Sequence, residues 1–282
     1  MTWSIRRMTE ADVPRGMELT AQAGWNQTSL DWLRCLALEP DGCFVWEEHG
    51  LVVGTVTACR FGPVAWIGLV LVDAAYRRRG IATALMEHAL TYLVDGRVET
   101  VRLDATPLGR PVYEKLGFVA EYELTRYEGV WPKGADPALS PVEAADRAFW
   151  PELAAWDRAA TATDRLPLLD RLFTEQPTAV RLLRGQGTVE GFSAGRPGRL
   201  AWQVGPCVAR DEAAGILLLR DALSRQAGQS VFLDVPTANE AARRFLEEHG
   251  WRPQRMLLRM RRGKPLRDNL ALMWSCFGPE KG

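Results

Sequence analysis

The 282-residue chain has no net charge to spare: 35 Lys and Arg offset 35 Asp and Glu. That balance gives no reason to expect nucleic acid or an anionic membrane as a partner. No apolar run reaches membrane-spanning length, because arginine, aspartate or glycine interrupts each one. The opening MTWSIRRMTEADVP carries no apolar signal core. The five cysteines, at 35, 43, 59, 207 and 276, are odd in number and form no C-x-x-C pair. A zinc site or disulfide framework is therefore not expected, and a reducing cytoplasm is.

What the chain does have is ordinary globular composition, 47% hydrophobic and 25% charged, over a length that suits two modest domains. Its centre of gravity is residues 64–93. An apolar run rich in Val, Leu and Ile predicts a buried strand ending near Val72. A short turn and Arg77-Arg78-Arg79-Gly80-Ile81-Ala82 follow, and then a helix with apolar residues at Ile81, Leu85, Ala89 and Leu93. The first N–H groups of a helix have no internal partners, so this turn is a ready anion site. Gly80 and Ala82 let a phosphate approach the backbone, and the arginines add charge and paired donors. Neither G-x-x-x-x-G-K-[ST] nor G-x-G-x-x-G is present at this turn, so the nucleotide-fold fingerprints do not apply.

Around this centre the pattern predicts a strand at 4–8 and a helix opened by the capping-box-like Thr9-Glu10-Ala11-Asp12. A second helix is capped by Ser29, and strands follow at 43–47 and 51–60. Downstream come a strand at 100–104, a helix at 107–116 stopped by Gly117, and a closing strand at 118–127.

Strand, R-x-x-G-x-A, helix resembles motif A of the GNAT superfamily of acetyl-CoA-dependent N-acyltransferases. A second motif, Pro111-Val112-Tyr113-Glu114-Lys115-Leu116-Gly117-Phe118, is similar to that family's tyrosine signature. The resemblance implies a mixed α/β (α+β) fold: a mostly antiparallel sheet, flanked by helices, whose central strand pair splays to admit acetyl-CoA. It implies that Val70, Leu71 and Val72 offer backbone groups to the pantetheine arm. Residues Arg77, Arg78, Arg79, Gly80, Ile81, Ala82 and Thr83 would wrap the pyrophosphate, and Tyr113 would protonate the leaving thiolate. Thr106 stands where many members have a cofactor-contacting Asn. Trp66 stands where some carry a glutamate base, and an indole cannot accept a proton in that role. The base is left open between Asp104, Glu47 or Glu48, and a water relay. Trp25 and Asn26, with Trp32 and Trp66, are expected at the acceptor site.

Beyond a Pro- and Gly-bearing linker the first half is echoed. Gly54 and Trp66 correspond by spacing to Gly191 and Trp202, Gly80 to Gly215, Leu103-Asp104 to Leu233-Asp234, and Tyr113 to Leu246. The chain is thus expected to be a tandem: a catalytic domain at 1–130, a linker at 131–142 and a degenerate copy at 143–282. In the copy Asp211 and Glu212 face the helix start and repel phosphate. Pro206 lacks an N–H, and Leu246 cannot donate a proton. The expected activity is N-acetylation of a primary amine, in a small metabolite, by direct attack in a ternary complex. The expected co-substrate is acetyl-CoA, with no metal, and the protein is a monomer or homodimer. Alternatives are a non-catalytic acetyl-CoA sensor or partner-binding module, and a protein N-acetyltransferase.

Overall fold

The computed structural model describes residues 3–134 and 140–282, so Pro137 of the expected linker lies outside the described residues. The chain is mixed α/β and divides into two compact units. One comprises Met1–Glu121, Arg259–Pro265 and Lys281; the other comprises Tyr122–Leu258, Leu266–Glu280 and Gly282.

The first unit runs β1 (Trp3–Arg7), α1 (Val13–Gln22), α2 (Ser29–Leu38), β2 (Cys43–Glu48), β3 (Leu51–Phe61), β4 (Val64–Val72), α3 (Ile81–Asp95), β5 (Thr100–Ala105) and α4 (Arg110–Lys115), and opens β6 (Val119–Val130). Strands β1 to β4 are antiparallel neighbours, and β4 pairs parallel with β5. Local chemistry sets the helix starts. Thr9 and Asp12 form the expected capping box before α1, and Thr28 with Asp31 forms another before α2. The cap of α2 is thus Thr28, one residue earlier than the expected Ser29. Helix α4 begins three residues later than expected, because the Thr106 carbonyl first accepts from Gly109 and Arg110 in a turn.

The second unit repeats the order: β7 (Val142–Ala144), α5 (Trp150–Thr161), α6 (Leu166–Glu175), β8 (Arg181–Gly185), β9 (Thr188–Arg196), β10 (Trp202–Ala209), α7 (Glu212–Ser224), β11 (Ser230–Pro236), α8 (Glu240–Glu248) and β12 (Arg252–Gly263). One further strand, β13 (Met273–Ser275), has no counterpart among the described residues of the first unit.

Both units build the same bare spot on the sheet. A Cβ on Gly54 would come within 2.9 Å of Ile81 and Leu85 of α3, and one on Gly191 within 2.9 Å of Leu218 of α7. Gly54 lets its helix press onto the strand beneath, and at Gly191 the Val208 carbonyl oxygen, 2.4 Å from an added Cβ, crowds the spot as well.

The closing strands are exchanged. Strand β6 begins in the first unit, but from Leu124 to Val130 it pairs antiparallel with β11 in the second. The place beside β5 goes to residues 259–263 of β12, anchored where Lys264 donates to the Glu99 carbonyl at 3.1 Å. Arg259–Pro265 thus group with Met1–Glu121 in the first unit. Each closing strand carries a guanidinium that locks it in place. Arg259 makes two bonds to Asp104, at 2.8 and 2.9 Å, and Arg126 makes two to Asp234, at 2.8 and 2.7 Å. All four side chains are about 1% exposed.

Candidate active site

Strands β4 and β5 are paired only at Val64–Thr100, Ala65–Val101 and Trp66–Arg102. Both continue past that point, to Val72 and Ala105, without pairing to each other. In the same stretch β4 bulges against β3: Thr55 faces Leu71, whereas Thr57 faces Gly68. Leu69 takes a left-handed φ of 49° in the bulge. The hydroxyls of Thr55 and Thr57 donate to the carbonyls of Leu69 and Gly68, at 2.8 and 3.0 Å, and brace it. A bulge bends its strand and re-aims its backbone. Here it turns the end of β4, with Val70, Leu71 and Val72, away from β5.

Residues 73–79 then lead into α3. Asp73 caps the first turn by accepting from Ala75 N–H at 2.9 Å, and Arg15 and Gln22 hold its carboxylate in place. Those three groups keep the Asp73 carboxyl below its usual range, against the opposing effect of burial. Arg78 and Gly80 are both left-handed, with φ 62° and 80°. Gly80 has open space where a Cβ would sit, so backbone conformation, not crowding, calls for glycine there. The first internal bond of α3 runs from Ala84 N–H to Gly80 O at 3.0 Å, so the N–H groups of Ile81, Ala82 and Thr83 precede the helical ladder. Arg77 donates to Val72 O at 3.1 Å, and Arg79 bonds both oxygens of Glu48, at 2.9 and 3.0 Å.

Tyr113 sits on α4. Its ring folds over Gly109, where an added Cβ would be 2.9 Å away, and tilts against Phe118. Loss of water around it pushes the phenol up to about 12, so its hydroxyl stays protonated at neutral pH. Thr106 Oγ1 accepts from Gly109 N–H at 3.2 Å, which gives it a capping role in the turn before α4.

Three expectations change. Asp104 has both oxygens bonded to Arg259 in the core, and protonating either would leave a buried guanidinium uncompensated. Trp66 is buried in the core. It is 2% exposed, with the Arg259 and Arg102 guanidinium carbons 4.6 and 5.5 Å from its ring. Trp32 is fully buried against Gly16, its indole N–H bonded to Thr20. Trp25 stays half-exposed and Asn26 buried, in the α1–α2 connection. Glu47 pairs with Arg6 and Glu48 with Arg79.

The sequence reading missed Arg126 and Arg259. A signal was present: each lies nine residues beyond the glycine that stops a helix, Gly117 and Gly250.

The second unit has the same splay and different contents. Strands β10 and β11 pair only from Trp202–Val231 to Val204–Leu233. By register the counterpart of Trp66 is Gln203, not Trp202, and the counterpart of Val72 is Ala209. Only Arg210 separates Ala209 from the helix cap, where the first unit has residues 73–79. The cap itself is Asp211, which accepts from Ala214 N–H at 3.0 Å and matches Gly80; Gly215 lies one turn inside α7. Arg210 turns to Glu190 and Asp211, at 2.6 and 3.0 Å. Leu246 does match Tyr113: the N–H of Trp251 returns to its carbonyl as that of Phe118 does to Tyr113 O.

The first unit thus presents a splayed parallel strand pair beside a helix start whose first N–H groups precede the helical ladder. Residues 6–118 match the family model for the acetyltransferase (GNAT) family, and residues 153–274 match a second, the acetyltransferase (GNAT) domain. Together they span most of the chain, which belongs to the GNAT acetyltransferases, an acyltransferase family, and carries two GNAT domains. The uncharacterized N-acetyltransferase YitH of Bacillus subtilis is 27% identical over 87% of this chain and 86% of its own. The holothin acyltransferase of a Pseudoalteromonas species is 25% identical, over 85% and 81%. A solved acetyltransferase-family structure from Pyrococcus horikoshii superposes with TM-score 0.85 at 25% identity, covering 99% of this chain and 96% of that one.

Proposed function

We propose that the first unit is an acetyl-CoA-dependent N-acetyltransferase for a primary amine of a small metabolite, and that the second unit takes no coenzyme. The observation that carries this is the contrast at the two helix starts: seven residues and a left-handed glycine before α3, one residue and a capping aspartate before α7. The residues of the first unit fit the coenzyme. The N–H groups of Ile81, Ala82 and Thr83 would hold its pyrophosphate, with Arg77, Arg78 and Arg79 adding charge. The backbone of Val70, Leu71 and Val72, turned off β5, would pair with its arm as an added strand does. When bound, acetyl-CoA supplies an acetyl group activated as a thioester.

The amine attacks the acetyl carbonyl in a ternary complex. Backbone donors at the bulge steady the charge on the carbonyl oxygen. Tyr113 Oη gives its proton to the departing sulfur. With Asp104 held by Arg259, the amine proton leaves through water. Trp25 and Asn26 lie in the connection proposed to face the acceptor. A non-protein acceptor has one specific support: a relative matched over most of its length is named for acylating holothin.

Calorimetric titration with acetyl-CoA tests the reading. Arg79→Glu and Ala82→Tyr should each abolish binding, and unchanged affinity would refute the site. Turnover of an amine panel then separates an enzyme from a sensor. Slow thioester hydrolysis with no acceptor in a broad screen would point to the sensor.

A further inference from the structure

The slot between β10 and β11 is filled by the chain itself. Ala209 N–H, on β10, donates to Leu272 O at 3.0 Å, and Cys276 N–H donates to Asp234 O, on β11, at 2.8 Å. Residues 272–276 therefore bond to both splayed strands. Side chains reinforce this: Ser275 Oγ donates to Val204 O at 2.8 Å, and the Asn239 amide donates to Met273 O at 2.9 Å. Met273, Trp274, Ser275, Cys276 and Phe277 are all at most 2% exposed.

Two glycines are shaped to this segment. A Cβ on Gly205 would lie 1.9 Å from the Cys276 carbonyl oxygen. A Cβ on Gly215 would lie 1.9 Å from the Trp274 indole. Gly215 is inside a helix, where glycine is less favourable than alanine and nothing in the backbone calls for it. Its presence is explained by the indole.

We infer that the second unit's interstrand slot is a peptide site, permanently held by the chain's own segment 272–277. The ligand class is an extended peptide with a tryptophan, bound by main-chain pairing to both strands. The inference deepens the reading that the second unit takes no coenzyme. A mispositioned aspartate could be changed by one substitution, but a resident strand uses the backbone groups themselves and covers the first turn of α7 with an indole.

The full-length chain tests this through Gly215→Ala in two backgrounds. With Trp274 present, the added methyl collides with the ring and lowers Tm, by about 4–8 °C. With Trp274→Ala, the same change only improves helix propensity and raises Tm, by about 1–3 °C. That reversal of sign is the expected result; a rise in both backgrounds would overturn the inference. Hydrogen exchange on the unmodified protein is the second readout and needs no variant. The Ala209 and Cys276 amides should be as protected as the core of β10, and exchange at unfolded-chain rates would equally overturn it. Acetyl-CoA stoichiometry stays a separate question. Two sites per chain would defeat the functional reading, whichever way the Gly215 test falls.

Discussion

The two units each have their own run of sheet strands, a splay, a bare glycine under the helix and a buried Asp–Arg clasp. They differ in what enters the splay. In the first, seven residues and the Gly80 cap form a loop with two left-handed positions, Arg78 and Gly80, and deliver three N–H groups ahead of the helical ladder. In the second, one residue suffices, an aspartate caps the helix, and β13 pairs along β10. On the proposed reading the scaffold does not decide function; the length of one loop and the occupant of one slot do.

Substitutions at matched positions break or sharpen that contrast. The largest effect is expected at the helix starts. Ala82→Tyr should weaken acetyl-CoA binding at least about 100-fold by blocking backbone approach, a loss the size of a phosphate-binding helix terminus with its charged partners. Ala213→Tyr, at the same helical position in the second unit, should leave affinity unchanged in the same titration.

Next comes the proposed proton donor, Tyr113. Tyr113→Phe should lower kcat by about 10²-fold or more, with little change in KM for acetyl-CoA, and Leu246→Tyr should add no activity. Because the Tyr113 phenol is pushed up to about 12, it stays protonated across the working range. The rate should therefore rise with pH as the acceptor amine loses its proton, with no falling limb below about pH 11 in a pH–rate profile.

The clasps should behave alike in both units. Asp104→Asn and Asp234→Asn each strand a buried guanidinium and should cost about 3–5 kcal/mol, read by denaturant unfolding. Were Asp104 the base, its variant would lose turnover while keeping its stability.

The smallest effect is expected at Thr106→Ala. Removing the hydroxyl that caps the turn before α4 should cost about 1 kcal/mol and leave coenzyme affinity intact. A large loss of affinity would return Thr106 to the cofactor site.

Local signals were legible in the chain. The R-x-x-G-x-A turn, the tyrosine motif, the capping box at Thr9 and the order of elements all depend on residues close in sequence. What was not legible is non-local. Nothing in residues 119–130 says that β6 pairs with β11, since an alternating strand fits either edge. Aligning the repeat by its tryptophans placed Trp202 one residue out of register, so Gly215 stood in for Gly80 and the missing loop went unseen. Trp66 reads as a pocket residue until Arg259, 193 positions away, is found on its face. Strand β13 spans only Met273–Ser275, too short for periodicity to reveal.

The most direct measurement is the number of acetyl-CoA molecules bound per full-length chain, by titration calorimetry on the unmodified protein and on Arg79→Glu. One site that vanishes on substitution is the predicted result. Two sites, or one that survives Arg79→Glu, would contradict the assignment of the coenzyme to the first unit.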